Sequence, residues 1–300
     1  MERRPPNRLS AWWWRHQRVL TPFVLLAPAV LMFLLFVIYP ITQSVWLSLF
    51  DWRGVGVKRW VGLQNYFDLL RDEVALTALA NNLIWLATFL AAPMLGLGLA
   101  VFLSQNLRGI QVVRTLFMAP FVISQVVVGM IFALFLNSNF GLLNRMLEGI
   151  GFSPVAPLES ETWAIVGVIA AGLWPQLAYC LILYLAGLTA LRGELTDTAR
   201  IDGAHGFTLF WNVVLPQLRP VTFIAAMVCV VTSLRSFDLV MIMTAGGPYD
   251  SSNVLAFYMY EQTFHSLRYG YGATVATALF VLMGSCVGFF LWRLLRREAA

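Results

Sequence analysis

Long stretches without charged side chains dominate this 300-residue sequence and limit what it can fold into. A helix needs about 20 consecutive apolar residues to cross the hydrocarbon core of a bilayer. Five intervals of that kind carry no charge, and a sixth is interrupted only by Arg235 and Asp238. They predict an all-α membrane protein whose single domain, residues 20–295, lies between tails at residues 1–19 and 296–300. The six predicted spans lie near residues 20–45, 79–104, 112–136, 163–188, 220–244 and 272–295.

The composition supports this class, because 59% of the residues are hydrophobic and only 12% are charged. Soluble domains carry about 25% charged residues. The first span is predicted to be an uncleaved helix rather than a signal peptide. Its apolar region is too long for a signal peptide, and it passes Pro40 without a small-residue cleavage site.

The distribution of basic residues predicts the orientation. Thirteen of the 20 Lys and Arg residues lie in the two tails and in the loops after spans two and four, and six lie on the other side. Cytoplasmic loops of membrane proteins are enriched in these residues. Both termini and the loop between spans four and five are therefore predicted to be cytoplasmic.

The sequence shows no pattern typical of a metal site, a disulfide framework or a nucleic-acid surface. Cys180, Cys229 and Cys286 lie in apolar runs without metal-ligand spacing, and the three histidines are scattered. The net charge of +5 is interpreted as a topology signal rather than a nucleic-acid footprint. A membrane-embedded enzyme would need a catalytic cluster in or beside the spans, and no such cluster is visible.

The loop at residues 194–216 is more polar than its surroundings and has helical spacing rather than strand alternation. After Gly203, apolar residues recur on one helical face at Phe207, Phe210, Trp211 and Val214. We predict that Thr196 caps a first short helix, that Gly203 breaks it, and that Pro216 and Pro220 end the second. The resulting helix–turn–helix could rest on a partner protein or on lipid, and these physical arguments leave both open.

The same loop resembles a known motif. Asp197-Thr198-Ala199, Gly203 and Val213-x-Leu215-Pro216 are similar to the EAA loop of binding-protein-dependent ABC importer permeases. Asp197 stands where that motif usually has Glu, one methylene longer, and Thr198 stands where it usually has Ala. The stretches "VGLQNYFDLL", "FGLLNRML", "FDLVMIMTAGGP" and "YEQTFHSLRYGYGAT" are similar to carbohydrate permeases of the maltose, lactose and glycerol-3-phosphate group, the first permease of the pair.

The resemblance implies a coupling role in which the loop sits in a cleft of a cytoplasmic ATPase. The implied coupling residues are Asp197, Thr198, Ala199, Asp202, Gly203, Ala204, Phe207, Phe210, Leu215 and Pro216. Within this set, Asp197 would face the ATPase, and Phe207 and Phe210 would be anchors.

The resemblance also implies partners and a location, a multi-pass protein of the bacterial inner membrane. The only lysine, Lys58, is not part of a phosphate-binding loop, so ATP and magnesium would be bound by a separate, homodimeric ATPase. A second permease subunit would complete a heterodimer, and an extracytoplasmic solute-binding protein would deliver the substrate. No cofactor is expected in this chain.

Arg235 and Asp238 fall inside the fifth predicted span, where charges are costly and face protein or water. One interpretation places them on a translocation path or gate. The other makes them an internal ion pair at i, i+3 spacing that neutralises both charges.

Weak substrate-path candidates are Trp174 and Gln176 in span four and Tyr258 and Tyr260 near the outer end of span six. Phe264, Tyr269 and Tyr271 lie close to the latter pair. Aromatic residues near a bilayer interface are more often anchors than ligand contacts. The loop "TAGGP", residues 244–248, is expected to cap span five.

Two further transport functions stay open. The chain could be an ABC permease for a non-sugar solute such as glycerol 3-phosphate. It could also be an ion-driven secondary transporter, which would require internal repeats, broken helices and an intramembrane carboxylate.

Overall fold

The computed structural model describes residues 8–105, 108–191 and 193–298, and these are mostly helical. The helices are α1 (Arg8–Phe33), α2 (Tyr39–Leu47), α3 (Gln64–Leu69), α4 (Glu73–Leu103), α5 (Ile110–Val122), α6 (Gln125–Phe135), α7 (Leu142–Gly149), α8 (Ala164–Thr189), α9 (Gly193–Ile201), α10 (Gly206–Leu209), α11 (Leu215–Gln217), α12 (Arg219–Leu234), α13 (Asp238–Met243), α14 (Leu255–Tyr260) and α15 (Tyr269–Glu298). Short π-helical turns cover Leu34–Ile38, Phe210–Val214 and Glu261–His265, and a 3₁₀ turn covers Pro157–Glu159. Strands β1 (Phe50–Asp51) and β2 (Arg59–Trp60) form an antiparallel hairpin in which Phe50 pairs with Trp60.

Four segments in the described part of the chain are long and apolar enough to cross a membrane: Thr21–Leu47, Glu73–Leu103, Ala164–Thr189 and Tyr269–Arg293. Two bent helix pairs raise the number to six if each is one span. The coarse prediction of a helical membrane protein is confirmed. The prediction of exactly six spans stays a prediction, because the structure is compatible with four to six.

The third predicted span, residues 112–136, is not one helix. α5 and α6 meet at an angle of 104°. Pro120 lies in the last turn of α5, and Ser124 starts α6 by accepting a hydrogen bond from the backbone N–H of Val127 (3.4 Å). A proline followed by a capping serine favours a new helix over a continuous one.

The fifth predicted span, residues 220–244, is also divided. α12 ends at Leu234, and α13 begins at Asp238. Between them the Ser236 hydroxyl donates to the carbonyl of Ser233 (2.8 Å), a local bond that competes with helix continuation. At its other end α12 meets the 206–217 segment at 66°.

The centre of the molecule is α4, which packs along α8 and α12. Small residues permit this closeness, as is typical of helix packing in membranes. A Cβ on Gly96 would lie only 2.5 Å from the Cβ of Cys180, and a Cβ on Gly172 would lie 3.0 Å from Leu239. The two half-helices α6 and α13 pack against each other at Gly129 and Ile242.

The first apolar segment stands apart from this core. None of the 18-residue apolar window of Thr21–Leu47 is buried by the rest of the chain. Its α2 portion contacts α15. This segment therefore presents its surface to lipid or to another subunit.

Buried amides hold the end of the bundle opposite α9–α11. The Asn81 side chain donates to the carbonyls of Ser251 (2.7 Å) and Asn253 (2.8 Å). The Asn82 carbonyl oxygen accepts from the backbone N–H of Leu255 (2.9 Å). Within the loop after α13, Gly247 donates back to the carbonyl of Thr244 (3.0 Å), so residues 244–248 cap that helix as expected.

Candidate functional site

A cavity of about 300 Å³ lies where α4, α6 and α8 face the break between α12 and α13. Its wall combines aromatic rings with charged and amide side chains. The lining residues are Trp85, Phe89, Gln125, Gly172, Gln176, Val231, Thr232, Arg235, Ser236, Phe237, Asp238 and Leu239.

Two helix breaks converge on this cavity. Gln125 is the first residue of α6, directly after the bend from α5, and residues 235–237 separate α12 from α13. In a membrane, irregular backbone is tolerated only where protein or water surrounds it. Broken helices that meet in this way are typical of solute sites in transport proteins.

Arg235 and Asp238 reach this cavity without pairing with each other. Both side chains are exposed, and within the described residues no ion pair joins them. The ion-pair interpretation is therefore wrong. The i, i+3 argument requires one continuous helix, but Arg235 follows the end of α12 at Leu234 and Asp238 begins α13, so the two residues do not share one helical face. Two charges at this depth need a polar environment, which the cavity supplies.

Hydrogen bonds fix one side of the cavity. Thr232 donates its hydroxyl to the Gln176 carbonyl oxygen (3.2 Å), and the Gln176 amide donates to the Cys229 sulfur (3.2 Å). Trp85 is 1% exposed, and its indole N–H has no partner in the described structure. A buried donor without a partner is costly, so a ligand or water oxygen in the cavity would stabilise it.

The four weak substrate-path candidates divide. Gln176 lines the cavity, whereas Trp174 is absent from its wall and packs on Phe132 with ring centroids 5.9 Å apart. Tyr260 does not line the cavity but packs on Phe237, which does. Tyr258 is buried elsewhere.

Nine wall residues were not among the candidates: Trp85, Phe89, Gln125, Gly172, Val231, Thr232, Ser236, Phe237 and Leu239. Trp85 and Phe89 lie four residues apart on α4, a spacing that equally describes a core stripe. Trp85 and Phe89 are recognised as cavity residues rather than core residues only because the helix bends bring α6 and α12 to α4. No group of three or more potential metal ligands occurs in the described residues.

Tyr258 instead belongs to a network around Asp72, at the start of α4. One Asp72 oxygen accepts from the backbone N–H groups of Val74 (3.0 Å) and Ala75 (3.2 Å), and the other accepts from the hydroxyls of Tyr258 and Tyr271. Burial alone would raise the pKa of Asp72, but these hydrogen bonds together outweigh it and lower the pKa below its ordinary value of 3.8. The carboxylate thus ties together the ends of α4, α14 and α15.

Residues 193–217 form a second candidate site, called the knob below. The turn after α9 has the geometry of a Schellman motif. Ala204 N–H donates to the carbonyl of Ala199 (2.8 Å), Gly203 N–H donates to that of Arg200 (3.1 Å), and Gly203 has a φ of +87°. The predicted break at Gly203 is confirmed, because this left-handed conformation favours glycine.

One prediction about the knob is wrong. Thr196 does not cap α9, because the helix begins at Gly193 and the Thr196 hydroxyl donates to the Gly193 carbonyl (2.7 Å). The second helix ends at Gln217, between Pro216 and Pro220, and the chain bends there by 66° into α12, so this prediction is confirmed. A π-helical turn at Phe210–Val214 precedes Pro216 and accommodates its missing N–H and its ring.

The knob exposes a pair of aromatic rings. Phe207 is 74% exposed and Trp211 57%, and their rings stack with centroids 5.7 Å apart. Phe210 is half-buried. The exposed pair is therefore Phe207 with Trp211, rather than Phe207 with Phe210.

The polar face of the knob lies on α9. Asp197 and Arg200 approach within 3.5 Å, and both side chains are largely exposed. Such an exposed pair contributes at most about 1 kcal/mol. Asp197 is thus accessible to an outside partner at small cost.

The comparisons with known proteins agree with one another. A model of the family described as "Binding-protein-dependent transport system inner membrane component" matches residues 92–299. The probable ABC transporter permease protein YurN of Bacillus subtilis is 33% identical, over 89% of this chain and 93% of that protein. The sulfoquinovosyl glycerol transport system permease protein SmoG of Agrobacterium fabrum is 30% identical, over 92% and 90%.

The solved structures show a similar fold. A chain of a bacterial alginate ABC transporter, in complex with an alginate pentasaccharide-bound periplasmic protein, aligns with a TM-score of 0.80 and 22% identity. The alignment covers 93% of this chain and 95% of that one.

Proposed function

Since the chain belongs to the family of binding-protein-dependent transport system inner membrane components, we propose that it imports a sugar or related polyol. It is a non-catalytic permease subunit of an ABC importer. In this proposal it forms half of the translocation pathway, and its knob couples that pathway to a separate ATPase.

The continuity of α12 carries the proposal. This helix begins at Arg219, beside the knob, and ends at Leu234, beside the cavity. Sixteen residues at about 1.5 Å each span roughly 24 Å. A rigid helix of that length would transmit a displacement of the knob to the wall that carries Arg235. Alternating access driven by ATP would then be a shift between two arrangements of this cavity.

The knob supplies a surface suited to the groove of a partner protein. Its stacked Phe207 and Trp211 would be the anchors, and Asp197 and Arg200 would form the polar rim. The alternative is that these aromatic side chains contact lipid. The family membership favours the ATPase.

The substrate class rests on the cavity and on relatives. The aromatic side chains of Trp85, Phe89 and Phe237 line the cavity together with charged and amide groups, a combination that suits sugar rings and hydroxyls. SmoG is named for sulfoquinovosyl glycerol, and a relative from Thermococcus litoralis for trehalose and maltose.

A phosphorylated polyol is the second candidate. A relative from Agrobacterium fabrum is named for sn-glycerol-3-phosphate and is 30% identical over 89% of this chain. Arg235 would offer the phosphate a charge-assisted contact. Asp238, on the same wall, would oppose that anion, so a neutral sugar is preferred.

The proposed assembly contains a second permease subunit, a homodimeric cytoplasmic ATPase that binds ATP and magnesium, and an extracytoplasmic solute-binding protein. Both termini of this chain would be cytoplasmic, in a bacterial inner membrane. The helix breaks no longer distinguish this proposal from an ion-driven transporter, because both classes accommodate them.

Transport in proteoliposomes tests the proposal. The complete complex, formed with the cognate partner subunits, would be loaded with ATP inside or outside and supplied with the binding protein and labelled sugars. We expect uptake only with ATP on the knob side, unaffected by ionophores. Uptake without ATP that collapses with an ion gradient would overturn the proposal in favour of a secondary transporter.

A further inference from the structure

A groove of about 470 Å³ lies between the knob, the start of α12 and the last third of α15. It is separate from the central cavity and shares no lining residue with it. Its lining is Trp211, Leu215, Pro216, Arg219, Thr222, Phe223, Ala226 and Phe290.

The groove begins beside two arginines. Arg219 is the first residue of α12, and Arg293 ends the apolar segment of α15. The rings of Phe223 and Phe290, one on each helix, lie 6.5 Å apart. Since Phe223 is four residues past Arg219 and Phe290 three before Arg293, both arginines lie at about the same depth.

Polarity falls along the groove in one direction. Arg219 is exposed at the mouth, and no described carboxylate pairs with it. Thr222, one turn deeper, uses its hydroxyl internally, donating to the Leu218 carbonyl (3.0 Å) and contacting the Tyr184 hydroxyl (3.0 Å). Beyond it, Phe223, Ala226 and Phe290 offer only apolar surface.

From these features we infer that the groove binds an anionic phospholipid, with its phosphate on Arg219 and an acyl chain along Phe223 and Ala226. Arg219 to Ala226 spans about 10 Å, roughly two thirds of one leaflet's hydrocarbon depth. The order from cation to hydrocarbon matches that of a phospholipid from headgroup to tail. A helix of another subunit would have to bring a carboxylate of its own to this position to neutralise Arg219.

This lipid would touch the knob directly. Trp211, Leu215 and Pro216 form one wall of the groove, and Phe290 of α15 belongs to the other. An acyl chain between them fills the angle where the chain bends by 66° into α12. Anionic lipid would thereby restrain the knob relative to α15.

Lipid retention by the purified full chain tests the inference. The protein is placed in nanodiscs of equal phosphatidylglycerol and phosphatidylcholine, extracted in mild detergent and examined by native mass spectrometry. We expect retained phosphatidylglycerol to exceed phosphatidylcholine about five-fold, the preference that one basic residue gives near a membrane surface. Arg219→Gln should abolish the preference while phosphatidylcholine is still retained.

Two variants complete the design. Ala226→Trp should fill the groove and lose both lipids, which a site for free phosphate alone would not do. Arg145→Gln, at an exposed arginine on α7, should leave the preference unchanged. Hydrogen exchange at residues 206–217 should slow in phosphatidylglycerol nanodiscs relative to phosphatidylcholine ones, and only where Arg219 is present.

Either of two results overturns the inference. One is that Arg219→Gln keeps the preference for phosphatidylglycerol, or that the unmodified chain shows no such preference. The other is normal lipid retention by Ala226→Trp, which would show that the retained lipid does not occupy the groove.

Discussion

Arg235 and Asp238 show how far a residue type and a spacing can be interpreted. The sequence marks both as exceptional, since charges rarely occur inside apolar spans. Whether they pair depends on the backbone between them. The break after Leu234 places Arg235 at the end of one helix and Asp238 at the start of the next, a local event that hydropathy alone does not reveal.

We predict that Arg235→Gln lowers the transport rate about ten-fold or more, because hydrogen bonds to charged groups contribute about 1.5–3 kcal/mol. Arg235→Lys should retain part of the rate. The measurement is uptake and ATP hydrolysis by the same complex. The control is Arg268→Gln, at an exposed arginine directly before α15. Unchanged uptake by Arg235→Gln would remove this residue from the pathway.

Asp72 carries a prediction about pH. Its pKa is lower in the folded chain, so its contribution to stability is present above about pH 4, its unfolded range, and is lost as the pH falls through the folded pKa. Asp72→Ala should cost about 1–2 kcal/mol near neutral pH, mainly through the lost helix cap.

Thermal unfolding in detergent between pH 7 and pH 3 would measure this effect. The difference in melting temperature between the unmodified chain and Asp72→Ala should shrink as the medium becomes acidic. A difference that stays constant over this range would contradict the role assigned to the ionised carboxylate. Asp68→Ala, at an exposed aspartate nearby, is the matched control.

At the scale of elements, the knob was predicted more accurately than the spans around it. Gly203 signals its turn because a left-handed residue there needs glycine. Thr196 gave the wrong helix start, since residues that favour a terminus also occur within helices, and its hydroxyl donates back to the Gly193 carbonyl. The π-helical turn before Pro216 was not predicted, because it has no simple sequence signature.

Gly203→Pro should uncouple the complex, because proline fixes φ near −65° and Gly203 has a φ of +87°. We expect normal membrane insertion, loss of ATPase association and loss of transport. A tryptophan in place of Ala199 should act in the same direction by enlarging the face of α9. Co-purification of the ATPase and uptake are the measurements.

A matched control exists at the opposite end of the bundle. Gly56 has a φ of +82°, and, as at Gly203, no atom lies within 4 Å of the position that an added Cβ would occupy. Gly56→Pro imposes the same conformational conflict far from the knob and should leave coupling intact. Full transport and ATPase stimulation in both knob variants would contradict the coupling assignment.

The whole molecule divides into a packed core and a segment without partners. Leu181 is 0% exposed in the core, whereas Leu35 is 52% exposed on the first apolar segment. For the isolated chain in detergent, Leu181→Ala should cost about 2–5 kcal/mol and Leu35→Ala less than about 0.5 kcal/mol. Denaturant titration of both variants checks this, and equal costs would show that Thr21–Leu47 packs on the core.

The helical fold could be predicted from sequence, but the central cavity could not. Hydropathy identifies apolar helices because each follows from its own residues. The cavity instead follows from two bends that bring Gln125 and Phe237 toward Trp85 and Gln176, and those bends depend on contacts between distant elements. Gln176 was a candidate because sugar sites combine aromatic and polar side chains, and it lies two residues from Trp174 in span four, whereas Trp85 and Phe89 look like ordinary core residues.

The π-helical turn at Phe210–Val214 has a consequence for any chimaera between related permeases. It holds one more residue than an α-helical turn, so deleting a single residue there would rotate everything before it by about 100° about the helix axis. The side chain of Phe207 would then point in a different direction, although the rest of the grafted sequence was unchanged. Two loops with the same motif but different π-helical turns present their side chains in different directions. A chimaera in which only the loop lengths are matched would therefore not couple to the ATPase.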